Sequence, residues 1–301
     1  KKVGAPAAPA TPAPTRATHA HSMPKEFISV RIRDLTKKPS LLGLCAGYEG
    51  GAWRSQQLAD HLMEWLPEFA LKPSESEGLE SANAVALVRQ AAATVYSTEK
   101  FKRRGEFGEL LLHLAIRQAF GSVPAISKIY YKTAQNDTVK GFDAVHVVGP
   151  PDDMELWLGE AKFYNDINRA IRDVVAELKT HTDIDYLRGE FMLLKGKVDD
   201  KTLHANALKE LLDHRKSLDE VFKRVAIPVL LTYDSDCVSK HTACTKDYEK
   251  AFGAEIAKHY ESFSQSDLPK NVRIHLFLMP LSSKADLVKK LDEKLKTWQK
   301  I

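Results

Sequence analysis

Two carboxylates and a lysine have the types and spacing needed for phosphodiester chemistry: Asp143, Glu160 and Lys162. Such hydrolysis uses a divalent ion that neutralises phosphate oxygens and lowers the pKa of an attacking water. Magnesium prefers oxygen ligands at about 2.1 Å and keeps several waters, so Asp143, Glu160 and the backbone carbonyl of Ala161 would suffice from the protein. Lys162 would share a strand face with Glu160 and orient or help deprotonate the water. The pattern predicts a Mg²⁺ site that Mn²⁺ could also fill.

A largely apolar helix before these residues, over 106–120, carries a polar stripe. At 100° per residue, Glu106, Glu109, His113 and Arg117 lie within an arc of roughly 80°. Buried carboxylates are costly unless they are paired or metal-bound, so the stripe is expected to face a polar site, an arginine partner or solvent. We therefore expect Glu109 to support the metal, with Glu106 and His113 as secondary candidates.

A run of three cations, Lys102, Arg103 and Arg104, comes just before this helix. The net charge of the chain is only +4, so any affinity for DNA must come from a local basic patch. These three side chains abut the predicted site and are the expected contacts to DNA phosphates. The lysines within 195–224 and 284–299 are more typical of solvated helix faces.

Three strand-like segments separated by polar or Pro-Gly turns would position the acids. Alternate side chains of a strand share a face, so Asp143 lies with valines, and Glu160 and Lys162 lie with leucines. The short turns favour an antiparallel meander, and a later strand, helix and strand favour a parallel addition to the sheet. The predicted strands are 126–132, 142–148, 155–163, 225–233 and 272–281, and the predicted helices are 165–180, 246–263 and 284–299, with 188–194 either a strand or a short helix.

The sequence suggests three parts of unequal size. Ala, Pro and Thr dominate residues 1–22, which indicates a disordered linker or an artificial extension of the natural chain. Residues 23–99 are expected to form a mainly helical N-terminal layer with a short strand at 28–32. Residues 100–301 are expected to form the core, with a helical insertion near 195–224.

Three motifs in this order resemble the PD-(D/E)XK nuclease superfamily and, more closely, its HamA branch. They are Gly105-Glu106-Phe107-Gly108-Glu109-Leu110-Leu111-Leu112, Gly141-Phe142-Asp143 and Leu158-Gly159-Glu160-Ala161-Lys162-Phe163. Asp143, Glu160 and Lys162 match the superfamily pattern directly, and Glu109 or Glu106 matches its helical acid. One position departs from the pattern, because Phe142 stands where the superfamily has a proline before the first Asp.

The resemblance implies a fold, an activity and a partner. The fold would be α/β, with a mixed central sheet flanked by helices. HamA proteins are nuclease subunits of Hachiman anti-phage defence systems, so the resemblance implies a Mg²⁺-dependent deoxyribonuclease in the bacterial cytoplasm. It also implies a heterodimer with the helicase HamB, which would restrain the nuclease until it meets invading or damaged DNA.

Other functions are less well supported by the residues. The spacing Cys237-x3-His241-x2-Cys244 could supply three ligands for zinc, but a fourth is not evident, and an ordinary polar loop explains the same residues. A non-catalytic adaptor with the nuclease fold would need neither the acids nor the lysine. A stand-alone restriction endonuclease would need a recognition domain, for which there is no sign.

Broad classes can also be set aside from composition and motifs. No run of about 18 apolar residues could cross a bilayer. Three widely spaced cysteines do not suggest a secreted disulfide framework, and they favour a reducing cytoplasm. No Walker-type glycine loop is found, so any use of ATP would belong to a partner.

Overall fold

A computed structural model describes residues 23–76, 80, 82–95, 105–127 and 141–301. The predicted DNA contacts Lys102, Arg103 and Arg104 lie outside the described residues, as do residues 1–22 and most of the predicted strand 126–132.

Seven strands form one mixed sheet in the order β1-β2-β9-β8-β7-β6-β5, and a separate hairpin pairs β3 with β4. The strands are β1 Ser29–Asp34, β2 Ser40–Cys45, β3 Tyr48–Glu49, β4 Ala52–Trp53, β5 Val123–Ser127, β6 Ala144–Val148, β7 Glu155–Phe163, β8 Val225–Asp234 and β9 Arg273–Leu281. The predicted antiparallel pairing of the second and third strands is confirmed by β6 and β7. Strand β5 is antiparallel to β6 and shares only residues 126–127 with the predicted strand 126–132. The predicted parallel addition is also confirmed by the parallel pairs β7 with β8 and β8 with β9.

Twelve α-helices are found in the described part of the chain, and the longer ones pack on the two faces of the sheet. They are α1 Ser55–Glu64, α2 Leu66–Ala70, α3 Pro73–Ser76, α4 Ala84–Thr94, α5 Glu106–Phe120, α6 Ile167–His181, α7 Ile184–Lys195, α8 Ala205–Leu211, α9 Leu218–Phe222, α10 Asp236–Lys240, α11 Lys246–Ser264 and α12 Lys284–Trp298. The segment 188–194 is therefore helical, as part of α7. None of the described helices is both long and apolar enough to cross a membrane.

Helices α5 and α6 cover opposite faces of β7. Side chains of a strand alternate between faces, so Gly159 and Phe163 belong to one face, and Glu160 and Lys162 belong to the other. Helix α5 contacts the first face, where a Cβ added at Gly108 would lie 2.7 Å from the Cβ of Phe163. Helix α6 contacts the second face through its side-chain bonds to Glu160 and Lys162.

The helices α7 to α9 cover the meander on the same side as Glu160. Leu187 and Phe191 of α7 and Leu208 of α8 belong to a buried apolar cluster with Val145 and Leu158 of the strands. Because β8 is buried along nearly its whole length, it needs apolar cover on both faces, and its run of apolar residues reflects this.

The N-terminal residues contribute strands to the central sheet as well as helices. Strand β2, which the sequence interpretation missed, is parallel to β9, with Leu41 aligned with Leu276. Strand β1 then forms the sheet edge, antiparallel to β2. One of the two neighbours of Ser40–Cys45, β9, lies more than 200 residues later in the chain, so local pattern does not show that this segment is an inner strand.

Candidate active site

Asp143 lies beside Glu160 across the antiparallel pair β6 and β7. The register ends with Ala144 aligned with Gly159. Asp143 directly precedes Ala144 in the chain, and Glu160 directly follows Gly159. The Asp143 backbone N–H donates to the Gly159 carbonyl at 2.8 Å, and the Ala161 N–H donates to Asp143 Oδ2 at 2.9 Å. These bonds fix the first carboxylate against the strand that carries the second.

Glu160 and Lys162 are buried and have polar partners on α6. Glu160 is 1% exposed and pairs through Oε1 with His181 Nδ1. Lys162 is 7% exposed, and its Nζ donates to Glu177 Oε2. Burial of charge is costly without such partners, so the two pairs explain how an acid and a base can both lie on an otherwise apolar strand face.

The ammonium of Lys162 stays protonated despite its burial. Burial lowers its pKa, but the hydrogen bond to Glu177 and the negative charges of Glu177, Asp143 and Glu160 outweigh burial and raise the pKa above its usual range. Lys162 therefore lies within the electrostatic field of both carboxylates. A protonated lysine suits the orientation of water and the neutralisation of phosphate charge better than proton abstraction.

The imidazole of His181 is held by aromatic side chains. It stacks on Tyr186 of α7 with ring centroids 4.7 Å apart and an interplanar angle of 16°. The ring of Phe142, next to Asp143 in the chain, meets it edge-on at 5.1 Å. His181 is thus fixed in place by contacts other than its bond to Glu160.

The helical acids lie on the other side of β7. Glu106 and Glu109 belong to the first turn of α5, which packs on the face of Gly159 and Phe163. Both residues are partly exposed, and their role stays a prediction.

The other end of the polar stripe has an acidic partner. His113 Nε2 lies 2.9 Å from Glu68 Oε2, and Arg117 Nη2 donates to Glu68 Oε1 at 2.8 Å. Burial raises the pKa of Glu68, but bonds to His113 and charges on His113 and Arg117 outweigh it and lower the pKa to about 2. The polar stripe of α5 therefore has two parts. Glu106 and Glu109 lie in the first turn of the helix, and His113 and Arg117 contact Glu68 of α2.

The oxygen donors at β6 and β7 suit a hard divalent cation. Asp143 and Glu160 supply two carboxylates that both interact with Lys162. Magnesium is often held by one or two carboxylates, with waters and substrate phosphates completing its shell. Among the described residues, no group of three or more His, Cys, Asp or Glu side chains is placed so that it could hold a metal ion. The fit is therefore that of a two-carboxylate site.

The candidate zinc ligands Cys237, His241 and Cys244 do not form a metal-binding group either. Cys237 Sγ lies 4.0 Å from His241 Nδ1, and that same nitrogen donates to the Cys237 backbone carbonyl at 2.7 Å. Burial, aided by the charges of Glu255 and Cys45, raises the pKa of Cys237 to about 11. A metal binds the thiolate, so this thiol is poorly prepared to be a ligand.

Sequence reasoning missed Glu177 and His181. The pattern of α6 showed only an apolar face, formed by residues such as Ile171 and Val174, that covers the sheet. An acid and a histidine four positions apart on an amphipathic helix carry no signal of their own, because they are equally typical of a solvated face.

Comparison with known proteins identifies the family of this chain. The sequence model of the HamA family matches residues 21–295. The chain belongs to the HamA family. The HamA match covers all the residues of the site, and it confirms the resemblance seen in the motifs.

A curated relative of this HamA chain is anti-bacteriophage protein A of Escherichia coli (strain K12). The two are 27% identical over 254 residues, which is 81% of this chain and 46% of the relative. The chain thus spans about half the length of the curated relative it matches.

Proposed function

We propose that this chain is a Mg²⁺-dependent deoxyribonuclease that acts in anti-phage defence under the control of a helicase partner. The observation that carries the proposal is the protonated Lys162 in the electrostatic field of both Asp143 and Glu160, with Asp143 hydrogen-bonded to the strand that bears the other two. The family and the name of the curated relative support the defensive role. A nuclease fold of the PD-(D/E)XK type is part of the same proposal, supported by the antiparallel meander and the parallel strand that follows it.

The chemistry divides among four side chains. Asp143 and Glu160 would hold the cation, which when bound neutralises phosphate oxygens and lowers the pKa of a bound water. Lys162 would donate to the attacking water or to a phosphate oxygen, and so stabilise the negative charge on the phosphate oxygens in the transition state. Glu109 would support the metal shell or its waters from the end of α5.

The proposed partners are a helicase that uses ATP, and DNA. Its sequence has no glycine loop for ATP, so a helicase, HamB by the family resemblance, would supply ATP use and DNA unwinding. Lys102, Arg103 and Arg104 remain the proposed contacts to DNA, and a cytoplasmic location remains part of the proposal.

The test is plasmid degradation by the purified chain with and without the helicase, ATP and Mg²⁺. Wild type is compared with a Glu160→Ala, Lys162→Ala double variant whose assembly with the helicase is checked by gel filtration. We expect degradation by the wild-type complex and none by the variant complex. Equal degradation by both complexes would falsify the assignment, and cutting at defined sites by the chain alone would indicate a stand-alone restriction enzyme.

A non-catalytic adaptor is the second candidate. It is favoured by the lack of a three-residue metal group among the described side chains. An adaptor would keep phage resistance in the double variant, whereas a nuclease would lose resistance while the complex still forms.

A further inference from the structure

Two polar side chains of α6 contact the two charged site residues of β7. Glu177 and His181 are four residues apart, so they project from the same side of the helix. Glu160 and Lys162 are two residues apart, so they project from the same face of the strand. His181 meets Glu160 and Glu177 meets Lys162, which gives each acid a basic partner on the opposite element.

The bond from His181 sets the orientation of the Glu160 carboxylate. When Glu160 is ionised it can only accept, so the Nδ1–H of His181 is the donor to Oε1. A hydrogen bond to one oxygen fixes the plane of a carboxylate, and thereby the direction of its second oxygen. The stacking of His181 on Tyr186 holds the donor itself in place.

The bond from Glu177 sets the orientation of the Lys162 ammonium. Lysine has four rotatable side-chain bonds, and its end group is otherwise a mobile point charge. The Glu177 side chain is 42% exposed, so it lies at the solvent side of the buried ammonium. It therefore restrains Nζ from the solvent side.

We infer that His181 and Glu177 are positioning residues of this site, with His181 orienting Glu160 for a divalent cation and Glu177 orienting Lys162 for the attacking water. The inference rests on the proposed function, because it requires Glu160 to be a ligand. Groups that orient a metal ligand from outside typically contribute about 10–100-fold to metal affinity or activity.

The first experiment measures Mn²⁺ binding to the full-length chain by isothermal titration calorimetry, without DNA. His181→Leu removes the donor, and His181→Asn keeps an N–H donor near the position of Nδ1. We expect His181→Leu to weaken binding about 10-fold or more, and His181→Asn to restore much of the loss. Unchanged or tighter binding by His181→Leu would overturn the role of His181.

The second experiment measures the Mg²⁺ dependence of DNA cleavage by the helicase complex. We expect Glu177→Gln to lower kcat about 10-fold while the half-saturating Mg²⁺ concentration stays within about twofold, because Glu177 acts on Lys162 and not on the ligand. An unchanged kcat, or an equal effect on Mg²⁺ saturation, would overturn the role of Glu177.

Matched controls separate positioning from folding and from the proposed function. Thr180 lies between the two residues on α6, is exposed and bonds to its own helix at the Ala176 carbonyl, so Thr180→Ala should change neither measurement. Thermal unfolding checks that each variant is folded. If Glu160→Gln abolishes Mn²⁺ binding but His181→Leu does not alter it, the inference fails and the metal site stands. If the wild-type chain binds no Mn²⁺, both fail.

Discussion

The close packing of α5 on β7 predicts a large cost for adding one methyl group at Gly159. A Cβ at this position would lie 2.8 Å from Leu112 Cδ2 and 3.2 Å from Ala144 Cβ. The first distance is shorter than real Cβ atoms tolerate, so a neighbour must move. Leu112 is fully buried, so moving its side chain disturbs the packed core around it.

The magnitude follows from these two contacts. Overpacking a dense core typically costs about 1–3 kcal/mol, because side chains leave their rotamers or the backbone shifts. We expect Gly159→Ala to lower the free energy of unfolding by an amount in that range. A second substitution tests the cause, because Leu112→Ala removes Cδ2 and makes room for the new methyl group.

Urea denaturation at 25 °C measures this prediction through the midpoint at a constant m-value. Leu112→Ala alone should cost about 2–5 kcal/mol, as expected for a buried leucine. The double variant should lose clearly less than the sum of the single losses, since the clash is then absent. Full additivity, or a stable Gly159→Ala variant, would refute the described packing of α5 on β7.

Three further predictions concern the site, its acidic neighbour and a helix surface. Glu160→Gln should reduce Mg²⁺-dependent cleavage at least about 100-fold in a plasmid assay without lowering the thermal midpoint, and retained cleavage with normal metal dependence would contradict its role as ligand. The lowered pKa of Glu68 means that its ion pair stabilises the fold above about pH 4.5 and that this contribution disappears as the pH falls toward 2. Glu68→Gln should therefore be less stable than wild type by about 3 kcal/mol at pH 7, with the difference shrinking below pH 4.5 in urea titrations; a constant difference at all pH values would argue against the pair. Gly189→Ala should raise stability by about 0.5–1 kcal/mol, because this position in α7 has open space around its Cβ, and destabilisation there would show an unrecognised contact.

Local pattern was sufficient to predict the strands that carry the acids. Side-chain alternation predicted that Asp143 shares a face with valines of its strand, and that Glu160 and Lys162 share a face with leucines of the next strand. The short turn between the two strands predicted their antiparallel pairing. The long apolar runs that became β8 and β9 were equally clear, because strands covered on both sides are apolar at nearly every position.

The pairing of distant elements was not visible in the sequence. Strand β2 reads as a short segment with a glycine, and only β9 at its side makes it an inner strand. The polar stripe of α5 could have faced a metal, an arginine or solvent, and Glu68 of α2 decided the outcome for His113 and Arg117. Such contacts join residues far apart in the chain, and no local periodicity encodes them.

The sequence by itself thus determined the strands β6 and β7, at which the three predicted site residues lie, since side-chain alternation and turn chemistry are local properties. Only the tertiary structure decided that α6, through Glu177 and His181, meets these residues while α5 lies behind the strand. The physical reason is that the face a helix covers depends on how the whole chain crosses over the sheet, and buried charges then take whichever partners that packing provides.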